Sequence, residues 1–485
     1  MLALLMLVAP AVAGPLWSWP RSSQSSNASP SYDCQQSPFK HVIALSVDGL
    51  HSSDIGKWIS LKPNSNISNL VRQGYEYTDA YTSAPSDSFP GILAQYTGAT
   101  PKTTGVWFDD TWDWTFYAPG ILYDESIDYN DTYIFSGGID PANLPQHKVD
   151  GKCTHVYPHQ RLRVNTIFEV VNGAGYETAY TDKHPAYDLV RGPSGTGLTV
   201  GYFPEIAAVH TTVEATIAYD QLHVNAWLDW LDANTPVNST TYGSKLTKVP
   251  TLFGGNFQSM SVAQKTVGYN NDTANSFSDA MIMAMDFVDS SIGAIMNKLE
   301  SKGLREETLI VIASKHGQAP IDRSLYRAID PTAVTNLTTV PLAWATTDDI
   351  ALLFLNNSAD TAQAVKELQA GAKSAGIMSV IWGRNLTDSG FGNPDIDPAV
   401  PNIIVQPELG VVYTTSVKDM EHGGLSRDDR VVACIVSNPK LQKRVFGEVV
   451  HTKQIGPTIL KALGLSHELL QGAASEGTTS LPGFA

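Results

Sequence analysis

Basic residues are scarce, cysteines few, and long apolar runs missing. The 485-residue chain carries 32 Lys and Arg against 48 Asp and Glu, a formal net charge of -16. No basic block offsets that acidity, which argues against general nucleic-acid binding. A small phosphate ester needs only a local positive site and remains compatible. Charged residues make up only 16% of the chain and hydrophobic ones 42%, so a sizeable core is affordable. Past the N-terminus no stretch is long and apolar enough for a transmembrane helix, and no membrane span is expected. The three cysteines are Cys34, Cys153 and Cys434, and none has metal-ligand or nucleophile spacing. Cys434 lies in "RVVACIVSN" and is expected to be a buried free thiol. Cys34 and Cys153 both fall in loops and could pair in an oxidising compartment.

What is present begins with "MLALLMLVAPAVAGPLWSWP". Its apolar run of about a dozen residues is too short to span a bilayer. Ala11-Val12-Ala13 fits a small-residue cleavage site, so residues 1–13 read as a secretory signal, although a basic start is missing. Residues 14–39, with "RSSQSSNASPSY", read as a flexible mature N-terminus. Asn27, Asn66, Asn130, Asn238, Asn271, Asn336, Asn356 and Asn385 each open an Asn-x-Ser/Thr sequon, which supports a secreted, N-glycosylated protein.

Strand-like and helix-like runs alternate from residue 40 onward. "HVIALSVDGL" (41–50), "ETAYTDKH" (177–184) and "TLIVIASKHG" (308–317) are apolar runs that each end in polar residues. "DIALLFLNN" (349–357), "MSVIWG" (378–383), "NIIVQPELGVVY" (402–413) and "RVVACIVSN" (430–438) read as further strands. Helical patterns cover "PGILAQYTG" (90–98), "NTIFEVVNGAG" (165–175, with Asn165 as cap), 275–303 and "QIGPTILKALGL" (454–465). This alternation indicates a mostly parallel sheet covered on both faces. Residues 100–160 look like an insertion or lid, and 340–415 like a small cap. The aromatic "GVWFDDTWDWTFYAPG" (105–120) could stack on a nucleobase or sugar, or simply pack its own loop.

Open α/β sheets bind ligands outside the carboxyl ends of their strands. Asp48, Asp182 with Lys183 and His184, and Lys315 with His316 leave the predicted strands there, and His422 stands in "MEHGGLSRDD". A lone histidine in such a place is more often structural than ligating, and it is order and context that point to a site. Ser88 precedes Phe89-Pro90-Gly91, and proline favours a first helical turn, so Ser88 is placed at a helix N-terminus where free N–H groups attract an anion. A hydroxyl there could attack phosphorus if a base or a metal activates it.

In this order the motifs resemble the alkaline phosphatase superfamily, in its type I phosphodiesterase/nucleotide pyrophosphatase branch. "ALSVDGL" is similar to its first metal-binding strand, "SAPSDSFPG" to its nucleophile motif, "SKHGQ" to its Ser-Asp-His-Gly segment and "EHGG" to its late histidine motif. The resemblance implies an alkaline-phosphatase-like three-layer α/β/α sandwich over 40–485. It implies a secreted, metal-assisted phosphoester hydrolase of the phosphodiesterase or nucleotide pyrophosphatase type, with Ser88 forming a phospho-serine. A small phosphate ester or nucleotide is the expected substrate, and a divalent metal, zinc first, the expected cofactor in one or two copies. Asp48, His316 and His422 carry over as metal ligands. Lys315 stands where the family has aspartate, and "FQSMSVAQKT" (257–266) lacks the acidic residue and histidine of a further motif. Three alternatives follow. Asp182 and His184 join a rebuilt single-metal site; Lys315 and Lys183 act as cations in place of a metal; or the site binds without turning over. A sulfatase-like or phosphomonoesterase chemistry ranks lower, since no arginine follows the proline after Ser88.

Overall fold

The computed structural model describes residues 39–116, 122–123, 139, 141–206, 212–235 and 245–484. Its frame is an eight-stranded sheet. In chain order the strands are β1 (His41–Val47), β2 (Gly74–Tyr77), β3 (Thr178–Thr181), β4 (Val200–Tyr202), β5 (Leu252–Phe257), β6 (Thr308–Ala313), β7 (Cys434–Ser437) and β8 (Arg444–Phe446). They lie in the order β8-β2-β7-β6-β1-β5-β3-β4. The run β6-β1-β5-β3-β4 is parallel throughout, whereas β7 is antiparallel to both of its neighbours.

Strands β1 and β6 are apolar without a break because both faces are covered. Val42, Ala44, Leu309 and Val311 enter one core, while Ile43, Leu45, Ile310 and Ile312 enter the other. On the second face pack α1 (Ser52–Leu61) and α2 (Asn66–Arg72). The first face receives α3 (Ser88–Thr97) and α4 (Ile167–Gly173), through Ile92, Leu93, Ile167 and Phe168. Helices α5 (Val213–Leu231), α6 (Ser259–Thr266) and α7 (Asp279–Ser301) complete the second face, with Trp227, Trp230, Met260 and Met285 buried. The closing helix α8 (Ile455–Ala462) returns to the first face. The chain is therefore an α/β/α sandwich. Among the described residues no helix is long and apolar enough to cross a membrane.

A second, antiparallel sheet is formed by Leu342–Thr347, Ala351–Leu355, Ile403–Pro407 and Ile377–Trp382 in that spatial order. One side of it has its own core of Val334, Leu353, Leu355, Leu368 and Val405. Its other side takes up the aromatic stretch. Trp107 and Phe108 are buried against Leu352, Phe354 and Ile404, the Trp107 indole donates to Phe391 O at 2.9 Å, and Trp112 stacks on Trp344. For these residues, packing rather than an open stacking platform is the structural role.

Several expectations need correction. The cap of α4 is Thr166, not Asn165: Thr166 and Glu169 form a capping box, while Asn165 bonds to Gln471 and Leu469 O. Residues 402–413 are two strands in different sheets, because the turn at Glu408–Gly410 breaks the run. Residues 430–438 also divide, with Val431–Val432 pairing with Ala80–Tyr81 and β7 joining the main sheet. Helix α5 and strand β5 were not anticipated. Cys434 is a buried free thiol, and burial pushes its pKa up to about 12. Cys153 is exposed and free, and Cys34, like residues 1–38 as a whole, lies outside the described residues.

Candidate active site

The four central parallel strands release polar side chains at one edge. Asp48 follows β1, Gln258 follows β5, Asp182 follows β3, and Lys315 with His316 follows β6. Helix α3 presses against the same edge from the first face. A Cβ on Gly91 would fall 1.9 Å from Lys315 O, so the first turn of α3 lies directly on the Lys315 backbone. Thr82 Oγ1, ahead of that helix, donates to the same carbonyl at 2.5 Å.

Ser88 is the first residue of α3, and the cap before it is Asp87. The Asp87 carboxylate accepts from Phe89 N at 3.3 Å and from Asp109 N at 2.8 Å, and its other oxygen lies 3.4 Å from His422 Nδ1. Asp87 thus caps the helix, and Ser88 stands beside it in the first turn, where its Oγ accepts from Lys183 Nζ at 3.4 Å.

Lys315 is the hub. Its ammonium is fully buried, 3.3 Å from Asp48 Oδ2 and 3.6 Å from Asp182 Oδ1, and it donates to Tyr187 OH at 2.9 Å. Gln258 Nε2 also donates to Asp48 Oδ2. Asp182 accepts from Tyr180 OH at 2.8 Å, from its neighbour's Lys183 N at 2.8 Å and from Asn256 Nδ2 at 3.3 Å. The two carboxyls diverge electrostatically. Burial opposes the Asp48 charge, yet the ammonium groups of Lys315 and Lys183 outweigh it and hold Asp48 far below the ordinary carboxylate range. For Asp182, burial and the Asp48 charge prevail and push it up.

His316 Nδ1 donates to Gly317 O at 3.0 Å, which leaves Nε2 with the lone pair, 3.7 Å from Asp48 Oδ2. Its ring lies 4.0 Å from that of His422, centroid to centroid. Burial lowers both imidazole pKa values, so both rings are neutral at neutral pH. Asp48 Oδ1, His316 Nε2 and His422 Nδ1 are buried without a hydrogen-bond partner and are the atoms a bound group would meet. His184 points elsewhere: its Nδ1 pairs with Glu205 Oε1 at 2.6 Å, and its ring stacks on Tyr187.

The structure therefore brings Asp48, Ser88, Asp182, Lys183, Lys315, His316 and His422 into one cluster and turns His184 toward Glu205. Asp87, Tyr187 and Gln258 were missed by sequence reasoning. Aspartate one residue before Ser88 was a usable cap signal. Gln258 was hidden because β5 itself was hidden.

A divalent metal is the cofactor expected from the sequence resemblance, so the donor set here decides whether this chain can hold one. An ammonium fills the space between Asp48 and Asp182, and an amide occupies Asp48 from the 257–266 stretch. At about 4 Å and an effective dielectric of about 20, a divalent ion beside an ammonium meets about 8 kcal/mol of repulsion. Among the described residues no group of three or more His, Cys, Asp and Glu is arranged to hold a metal ion. The residues present do not fit the expected metal centre, whether built from Asp48, His316 and His422 or extended to Asp182 and His184.

A family model described as type I phosphodiesterase / nucleotide pyrophosphatase matches residues 42–428. Among curated proteins no sequence match is found. Among solved structures, an inactive form of murine ectonucleotide pyrophosphatase / phosphodiesterase 5 in complex with AMP is similar at a TM-score of 0.60 and 14% identity, over 88% of this chain and 96% of that one. Wild-type alkaline phosphatase PafA is similar at a TM-score of 0.60 and 12% identity, over 88% of this chain and 96% of that one. At such identities the two structures speak for the fold. With the family model spanning both the Asp48 strand and the His422 loop, the chain belongs to the type I phosphodiesterase / nucleotide pyrophosphatase family.

Proposed function

We propose that this protein is a secreted phosphoester hydrolase that uses Ser88 as its nucleophile on a phosphodiester or nucleotide. The observation that carries this reading is the Lys183 ammonium 3.4 Å from Ser88 Oγ, at the N-terminus of a ten-residue helix. A positive charge beside the hydroxyl favours both the alkoxide and the phosphoryl oxygens. Ser88 Oγ bonds to phosphorus as the bond to the leaving oxygen breaks, and the serine proton ends on the departing alkoxide. Water then attacks the phosphoryl-serine, the Ser88–phosphorus bond breaks, a phosphomonoester departs, and a proton from the water restores the Ser88 hydroxyl. AMP bound to the murine relative makes a nucleotide the first substrate to try. Lys183 and His422 have the largest exposures of the cluster, at 7% and 6%, so the approach to Ser88 runs past them.

A second reading, a catalytically silent binder on the same fold, is favoured by Lys315 standing in a metal-ligand position and by the complete burial of Ser88. Hydrolysis of an aryl phosphodiester by wild type and Ser88→Ala separates the two. Turnover by wild type with loss in the variant supports the hydrolase, as does a phosphorylated Ser88 in trapped enzyme. Activity that survives Ser88→Ala removes the mechanism, and an inert wild type that still binds nucleotide leaves the binder.

Secretion and N-glycosylation belong to the same proposal. Of the sequons in described residues, Asn271, Asn336, Asn356 and Asn385 are exposed.

A further inference from the structure

Lys315 fills the place of a cation between Asp48 and Asp182 and brings positive charge of its own. Resting on the phosphoester reading above, we propose that the ammonium groups of Lys315 and Lys183 replace the divalent cation of this fold and bind the phosphoryl oxygens directly, so that the protein works without a metal.

Replacing an aspartate by Lys315 changes the local charge by +2, the charge of the ion no longer held. Position agrees with charge. Lys315 Nζ stands between Asp48 Oδ2 at 3.3 Å and Asp182 Oδ1 at 3.6 Å, where carboxylates would otherwise converge on a cation. Both carboxyls have already received other donors, Gln258 at Asp48 and Tyr180 with Asn256 at Asp182. Lys183 completes the pair on the nucleophile itself. One ring ties the two together: Lys315 Nζ lies 4.3 Å and Lys183 Nζ 5.9 Å from the centroid of Tyr187. That ring packs edge-on against Phe89, the residue after Ser88, at 5.2 Å. Tyr187 is thus a positioning residue that sets both ammonium groups relative to the helix bearing the nucleophile. Two lysines are point charges with donors and no acceptor, suited to an anionic phosphoryl group and unsuited to sharing the space with a metal.

The test uses the full chain, metal analysis, and titration with inorganic phosphate by calorimetry, with and without a strong chelator. The expected result is well under one equivalent of bound metal and a phosphate dissociation constant that chelation changes by less than about twofold. Lys315→Met and Lys183→Met should each weaken phosphate at least tenfold. Lys315→Asp should gain a stoichiometric metal ion and make phosphate binding chelator-sensitive. Stoichiometric metal in the wild type, or phosphate binding abolished by chelator, overturns the proposal while leaving the hydrolase reading in place. Absence of phosphate binding under every condition overturns both. The chelator comparison is made on the wild-type chain, so it decides the matter even where a variant fails to fold.

Discussion

Asp48 and Asp182 are the same chemical group, and their neighbours drive them apart. Asp48 stays ionised because the Lys315 ammonium faces it; Asp182 is raised by burial and by the Asp48 charge. Asp48 is then the main counter-ion of the buried Lys315. Removing one partner of a buried pair typically costs about 3–5 kcal/mol. Asp48→Asn should therefore destabilise the fold by about that much in urea titrations, and Asp182→Asn by less. Adding Lys315→Met to Asp48→Asn should recover part of the loss, since the stranded ammonium goes with it. Glycosylation gives a second residue-level outcome. Asn66 opens a sequon, but its side chain donates to Asp289 O and Oδ2, both at 3.0 Å. In secreted material, peptide mapping after deglycosylation should find Asn271, Asn336, Asn356 and Asn385 modified and Asn66 bare. Asp48, Ser88, Lys315 and His316 were legible in the sequence because each sits where an apolar run or a helix-start pattern ends. The partner of His184 was not, since nothing in spacing announces Glu205, 21 residues further on.

At the level of elements, strands with an unbroken branched-apolar run could be read, and β5 could not. Its "LFGGNF" carries two glycines that look like a turn. They are there because, between β1 and β3, these two positions leave no room for a side chain. A Cβ on Gly254 would meet Ala44 O at 1.8 Å, and one on Gly255 would meet Thr181 O at 2.3 Å. Losing β5 from the reading also lost Gln258, which leaves its end. Gly91 presents the same problem on α3. Alanine is intrinsically better than glycine in a helix by about 1 kcal/mol, but overpacking a tight contact costs about 1–3 kcal/mol or more. The 1.9 Å approach to Lys315 O decides the sign. Gly91→Ala should lower the thermal midpoint and reduce turnover, because the contact it forces apart joins the segment bearing Ser88 to the one bearing Lys315. A Gly91→Ala protein with wild-type midpoint and turnover would show that α3 does not fix this edge.

For the whole molecule, alternation of runs was enough to predict a covered, mostly parallel sheet with chemistry on one rim, while strand order and the antiparallel β7 depend on contacts far apart in sequence. Such contacts also set how stability varies with pH. Asp220 on α5 is buried, and its carboxylate accepts from Gln258 N and Ser259 N, pinning the start of α6 and so the amide that reaches Asp48. Burial pushes its pKa up to about 7 despite those hydrogen bonds. In the unfolded chain an aspartate titrates near 3.9. Below about pH 4 the group is protonated in both states and costs nothing. Between about pH 4 and 7 the unfolded chain releases a proton that the folded chain keeps, so stability falls as pH rises, and above the folded pKa the loss is complete. The total is on the order of a few kcal/mol. Asp220→Asn keeps an acceptor for the α6 start and removes the titration. Thermal midpoints measured from pH 4.5 to 8.5 should show the variant gaining on wild type as pH rises, with the gap widest above pH 7. A constant gap across that range would mean that Asp220 is ionised in the folded protein and that the helix start, not burial, sets its charge.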